Sequence, residues 1–100
     1  MKFFGYFKGM PYEDSNDDFE DYKRFKNTLS RETIIRHIES LEPALACLES
    51  LDIFTGEDLI AGQYIDGEFR FPLEFLHYYK KYDIGIPPEY EEYLLKKGVR

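Results

Sequence analysis

The chain has 100 residues, 43% of them apolar and 18% aromatic, which suits one small folded domain and excludes a disordered chain. Its formal net charge is −7 and its sequence pI is about 4.8. That balance argues against direct binding to nucleic acid or to an anionic membrane, both of which require a basic footprint. It suits a basic protein partner, whose approach the negative field accelerates.

The N-terminal "KFFGYF" reads as a short strand or an ordered arm, ended by Gly9, Met10 and Pro11. It lacks the long apolar region of a signal peptide, and no run approaches a membrane span, so a reducing cytosol is the expected location. The single cysteine, Cys47, excludes an intramolecular disulfide and is expected to be a buried, inert thiol.

"YEDSNDDFEDY", residues 12–22, carries six carboxylates and three aromatic rings without a Lys or Arg. Asn16 or Asp17 is placed to cap a helix, with Asp18, Glu20 and Asp21 in its first turn and Lys23, Arg24 and Lys26 towards its end. Phe19, Tyr22, Phe25 and Leu29 recur at helical spacing. Helix formation thus explains part of the acidity. Glu13, Asp14 and Asp17, beside Tyr12, remain as the unexplained excess.

"SRETIIRHIESLEPALACLES" is read as helical, capped by Ser30, with Ile34, Ile35, Ile38, Leu41, Leu45 and Leu48 on one stripe. Pro43 kinks or restarts it. "AGQYIDGEFRF" is a β-hairpin over 62–71 with Asp66-Gly67 as its two-residue turn. That register sets Tyr64 opposite Phe69 and Gly62 opposite Phe71. "FPLEFLHYYKKYD" is a helix with Phe75, Leu76, Tyr79 and Tyr82 on its stripe. In "GIPPEYEEYLLKKG", Pro88 opens the last helix and Gly98 stops it. Together these elements predict a mainly α (α+β) single domain over 1–100, with four to five helices and one hairpin. With eighteen aromatic rings, several tyrosines are expected at the surface.

No catalytic or metal motif emerges. His37 and Cys47 are ten residues apart, and either histidine, His37 or His77, is expected on a helix surface or rim. An EF-hand register from Asp14 fits at Asn16 and Asp18, then fails at Phe19 and Phe25, where Gly and Glu are required. No metal, cofactor or enzymatic activity is therefore expected.

Residues 54–98, and above all "DGEFRFPLEFLHYYKKYDIGIPPEYEEYL", resemble the small bacterial immunity proteins that guard against contact-dependent growth-inhibition toxins and nuclease bacteriocins. The resemblance implies a non-enzymatic cytosolic inhibitor that binds a cognate toxin domain, such as a nuclease. The alternatives are an acidic adaptor for another basic protein, or a small enzyme with an unrecognised pocket. The expected docking residues are Tyr12, Asp14, Asp17, Asp18 and Asp21, joined by Asp66 and Glu68 at the hairpin tip. Tyr78 and Asp83 are the second choice.

Overall fold

Leu45–Leu51 is a strand, and this overturns the mainly helical expectation. The structure, a computed structural model, describes residues 1–13 and 15–100, with 45–47 described by backbone alone. Among these, the order is β1 (Lys2–Phe3), α1 (Phe19–Tyr22), α2 (Arg31–Glu39), β2 (Leu45–Leu51), β3 (Asp58–Asp66), β4 (Phe69–Pro72), α3 (Glu74–Lys81) and α4 (Pro88–Lys96). The strands form one mixed sheet, β1-β4-β3-β2, parallel at β1/β4 and antiparallel elsewhere. The domain is α+β.

The helical stripe expected through Leu45 and Leu48 fails for a tertiary reason. α2 keeps its Ser30 cap, whose hydroxyl accepts from Thr33 N–H, but it stops at Glu39. Pro43 then disfavours helix at Glu42, and β3 offers a long edge to pair. The register runs from Leu45↔Gln63 to Leu51↔Asp58, with a bulge between Ala46 and Leu48. Pairing with β3 overrides the local spacing.

The 62–71 hairpin exists, but its register differs from the one expected. Asp66 pairs with Phe69 and Tyr64 with Phe71, so the two-residue turn is Gly67-Glu68. Gly67 takes the left-handed conformation there, with φ 62°. Asp66 stays in the ladder because its carboxylate is needed inside the domain. The slip is by two residues, so each side chain keeps its face.

The expected helix after Asp17 shrinks to the single turn of α1. Asp18 rather than Asn16 or Asp17 caps it, accepting from Glu20 N–H. Phe19 and Tyr22 are buried, and Phe25 and Leu29 pack at the core's margin. α3 buries Glu74, Phe75, Tyr78 and Tyr79, and α4 begins at Pro88 as expected.

The core is an aromatic lattice. Phe4 stacks on Phe71 at 4.7 Å between centroids and meets Phe75 edge-on at 5.3 Å. Phe7 meets Tyr78 edge-on at 5.4 Å. Ile34, Ile38, Ile86 and Leu94 fill the remaining gaps. No tyrosine is exposed: Tyr6, Tyr22, Tyr64, Tyr78, Tyr79 and Tyr90 are buried, and Tyr12, Tyr82 and Tyr93 are half-buried. The expectation of surface tyrosines is thus corrected. A ring can be buried fully when a partner is supplied for its hydroxyl.

Candidate functional site

For Tyr12, Tyr22, Tyr82, Tyr90 and Tyr93 that partner is a carboxylate. Asp66 is 3% exposed and accepts from Tyr90 Oη at 2.7 Å, Tyr93 Oη at 3.3 Å and Lys97 Nζ at 3.3 Å, and it lies 2.8 Å from His37 Nε2. Asp52 lies 2.7 Å from His77 Nε2 and accepts from Tyr82 Oη and from the N–H groups of Phe54 and Thr55. Buried Glu74 accepts from Tyr12 Oη at 2.7 Å and Ser50 Oγ at 2.8 Å. Glu91 fixes the loop before α2 by accepting from Thr28 and Leu29 N–H. These are satisfied networks in which each charge has partners in a low-dielectric interior.

The networks set the proton affinities. Burial raises the hydroxyls of Tyr22 and Tyr90, and adjacent Asp17 and Asp66 raise them further. Tyr78 is pushed up to about 12, chiefly by burial. For Asp52, burial acts upwards, but hydrogen bonds from His77, Phe54 N–H, Tyr82 and Thr55 N–H outweigh it and hold the carboxyl at about 2. A depressed carboxylate stabilises the fold fully above its unfolded value of 3.8 and loses that contribution as pH falls through about 2. Asp52→Asn is therefore less stable than wild type at neutral pH, and the gap closes in acid. Urea midpoints at neutral pH and near pH 2 measure it; a gap independent of pH would show that the charge of Asp52 is not the cause.

The expected docking residues separate into three groups. Asp66 and Tyr78 are corrected: both are buried, Asp66 inside its network and Tyr78 with its hydroxyl accepting from Ile53 N–H at 2.9 Å. Neither can meet a partner. Tyr12 is committed to Glu74 and Gly62 and lines a separate shallow pocket beside Arg70. Asp83 is exposed but lies outside the groove, among Lys23, Lys26 and Arg31. Asp14 lies outside the described residues, as does the Cys47 side chain.

Asp17, Asp18 and Asp21 do come together. They line an open groove of about 640 Å³ whose accessible apolar side chains are Phe3 and Phe25, with Phe4, Tyr22 and Phe69 buried behind them. Lys2, Lys8 and Glu89 also line it, so four carboxylates face two ammonium groups. Lys2 is already paired, at 3.3 Å to Glu89 and 3.7 Å to exposed Glu68. Asp18 and Asp21 are exposed, whereas Asp17 is half-buried and accepts from Gly5 N–H at 2.9 Å and Tyr22 Oη at 2.7 Å. Asp17 is structural; Asp18 also caps α1 and Asp21 lies 3.7 Å from Arg24, and both keep exposed charge at the groove.

Asp52, Glu74, Glu91 and both histidines were missed as functional parts of the network. His37 and His77 lie at the rim of the domain, with side chains 14% and 19% exposed, and each turns its ring to a buried aspartate. Their acid partners lie 29 and 25 residues away in sequence, beyond any local pattern. Glu74 alone left a signal, since it shares the buried face of α3 with Phe75 and Tyr78. No hydroxyl or thiol among the described residues is hydrogen-bonded to either imidazole, and no three His, Cys, Asp or Glu side chains converge there on one point. No described helix is long and apolar enough to cross a membrane. No family model, curated protein or solved structure matches the chain.

Proposed function

We propose that this chain is a cytosolic protein-binding inhibitor that docks a basic partner in the groove at Asp18 and Asp21. The resemblance to immunity proteins makes that partner a cognate toxin, with a nuclease domain the best fit. The observation that carries the reading is the groove itself. Exposed carboxylates there border an open groove with Phe3 and Phe25 accessible in it, whereas the interior acids are consumed by hydroxyls, imidazoles and backbone amides. A basic domain is drawn to the rim by charge and held by apolar contact once docked.

The test pairs the chain with the product of the neighbouring gene, which the reading requires to be a basic toxin; an unrelated neighbour overturns it. Co-expression restores growth if the chain is the inhibitor; an adaptor for some other basic protein leaves the toxin active. The Asp18→Lys, Asp21→Lys double variant slows association by about tenfold or more at low salt and flattens its salt dependence. Asp17 is left intact because it holds Gly5 and Tyr22 in place. Unchanged association kinetics would remove the groove from consideration.

A further inference from the structure

The sheet ends at β2, which pairs with β3 on one side and, among the described residues, has no strand on the other. Asp52 N–H donates to the Glu57 carbonyl at 2.8 Å, in line with the Leu51↔Asp58 register. Antiparallel pairs alternate between exchanging hydrogen bonds and exchanging none. Ser50↔Leu59 is therefore a bonded pair, and Glu49↔Ile60 and Leu51↔Asp58 are not. The amides and carbonyls of Glu49 and Leu51 point away from the sheet, and no described backbone group takes them.

Soluble proteins guard such an edge with Lys, Pro or a bulge. The bulge at Ala46/Leu48 guards only the start of β2. Beyond it Leu48 is 73% exposed, Leu51 54% and Ile60 64%. Directly paired residues share a face, so Glu49, Leu51, Asp58 and Ile60 form one exposed surface of alternating acid and aliphatic character. Neither β2 nor β3 contains a Lys or Arg. A second copy would set Glu49 and Asp58 near their own counterparts, with a net −7 on each chain.

We propose that the β2 edge from Leu48 to Leu51 accepts an extended basic strand of a partner protein, with Lys or Arg alternating with aliphatic residues. Backbone pairing to Glu49 and Leu51 holds the strand; its cations fall on the face of Glu49 and Asp58, with their stems over Leu51, and its apolar residues fall on the opposite face beside exposed Leu48. The inference rests on the partner being basic but not on the groove, which other residues form.

The probe is a capped peptide of alternating Lys and Val, added to the intact chain and read by amide hydrogen exchange. With the peptide at about 100 times its Kd, exchange at Glu49 and Leu51 slows about 100-fold. A peptide N-methylated on the amides facing β2 gives no protection, and Glu49→Lys weakens the unmodified peptide. Leu51→Pro removes an outward donor without removing a ladder bond and also abolishes protection; should it misfold, the N-methylated peptide carries the same test on unaltered protein. Unchanged exchange at Glu49 and Leu51 overturns the proposal. Equal protection by the N-methylated peptide also overturns it, and so does protection that grows with protein concentration alone, which marks a second copy. Peptide protection that survives in the Asp18→Lys, Asp21→Lys variant separates this edge from the groove.

Discussion

Asp66→Ala destabilises the domain by about 3–5 kcal/mol, because it leaves buried polar groups without their shared acceptor. The substitution strands Tyr90 Oη and His37 Nε2, which come from α4 and α2, and releases the exposed Lys97 ammonium to solvent. Asp66 is the point where β3 is tied to both helices. Asp66→Asn keeps the shape and one acceptor oxygen but loses the charge, so its loss is smaller. Glu68→Ala, two residues on and exposed, stays within about 0.5 kcal/mol of wild type. Urea unfolding checks the order: the midpoint falls steeply for Ala, less for Asn and hardly at all at position 68, with the slope unchanged. An Asp66→Ala midpoint equal to wild type would mean that the network contributes nothing net. Burial raises the Asp66 carboxyl, but His37 and Tyr90 outweigh it and the carboxyl is lowered. Its contribution is therefore present at neutral pH and lost in acid, on the same sign as Asp52.

Phe75→Ala costs about 3–5 kcal/mol, through lost burial and the cavity it leaves. Phe75 is fully buried and touches the rings of Phe4, Phe7, Tyr22, Phe71 and Tyr79. Its ring also lies on the bare backbone of Gly5, where an added Cβ would stand 2.7 Å from Phe75 Cδ1. Gly5 has φ +78°, so Gly5→Ala suffers both backbone strain and this overlap. In a Phe75→Ala background the overlap vanishes and only the strain remains. A double-mutant cycle on the two positions is therefore non-additive, with the double variant more stable than the sum of the single losses predicts. Strict additivity would show that the ring does not rest on Gly5. Against a total stability of about 5–15 kcal/mol for a domain of this kind, either Phe75→Ala or Asp66→Ala removes a large share.

The two predictions concern residues the sequence placed differently. Phe75 was legible as core, because α3 carries its apolar residues at helical spacing. Asp66 was not, because a carboxylate beside Gly reads as a turn tip. The tyrosines misled for a related reason. Their number suggested a contact surface, yet Tyr12, Tyr22, Tyr82, Tyr90 and Tyr93 turn their hydroxyls inward onto Asp17, Asp52, Asp66 and Glu74. Some of the acidity that suggested a basic partner is thus internal, and the binding reading narrows to Asp18 and Asp21 at the groove.

The sequence by itself determined what is set by local chemistry. The Ser30 cap, the Pro88 start, the Gly98 stop, the aromatic core and the presence of a hairpin near Gly67 depend on neighbours within a turn or two of chain. Tertiary structure alone decided the rest. Residues 45–51 became a strand because β3 offered an edge, and the hairpin slipped by two residues because Asp66 was held inside. The acids sorted into buried acceptors and exposed charge largely by contacts distant in sequence, such as Ser50 to Glu74 over 24 residues and Thr28 to Glu91 over 63. Long-range pairing competes with local preference on nearly equal terms, since strand and helix propensities differ by only about 1 kcal/mol per residue.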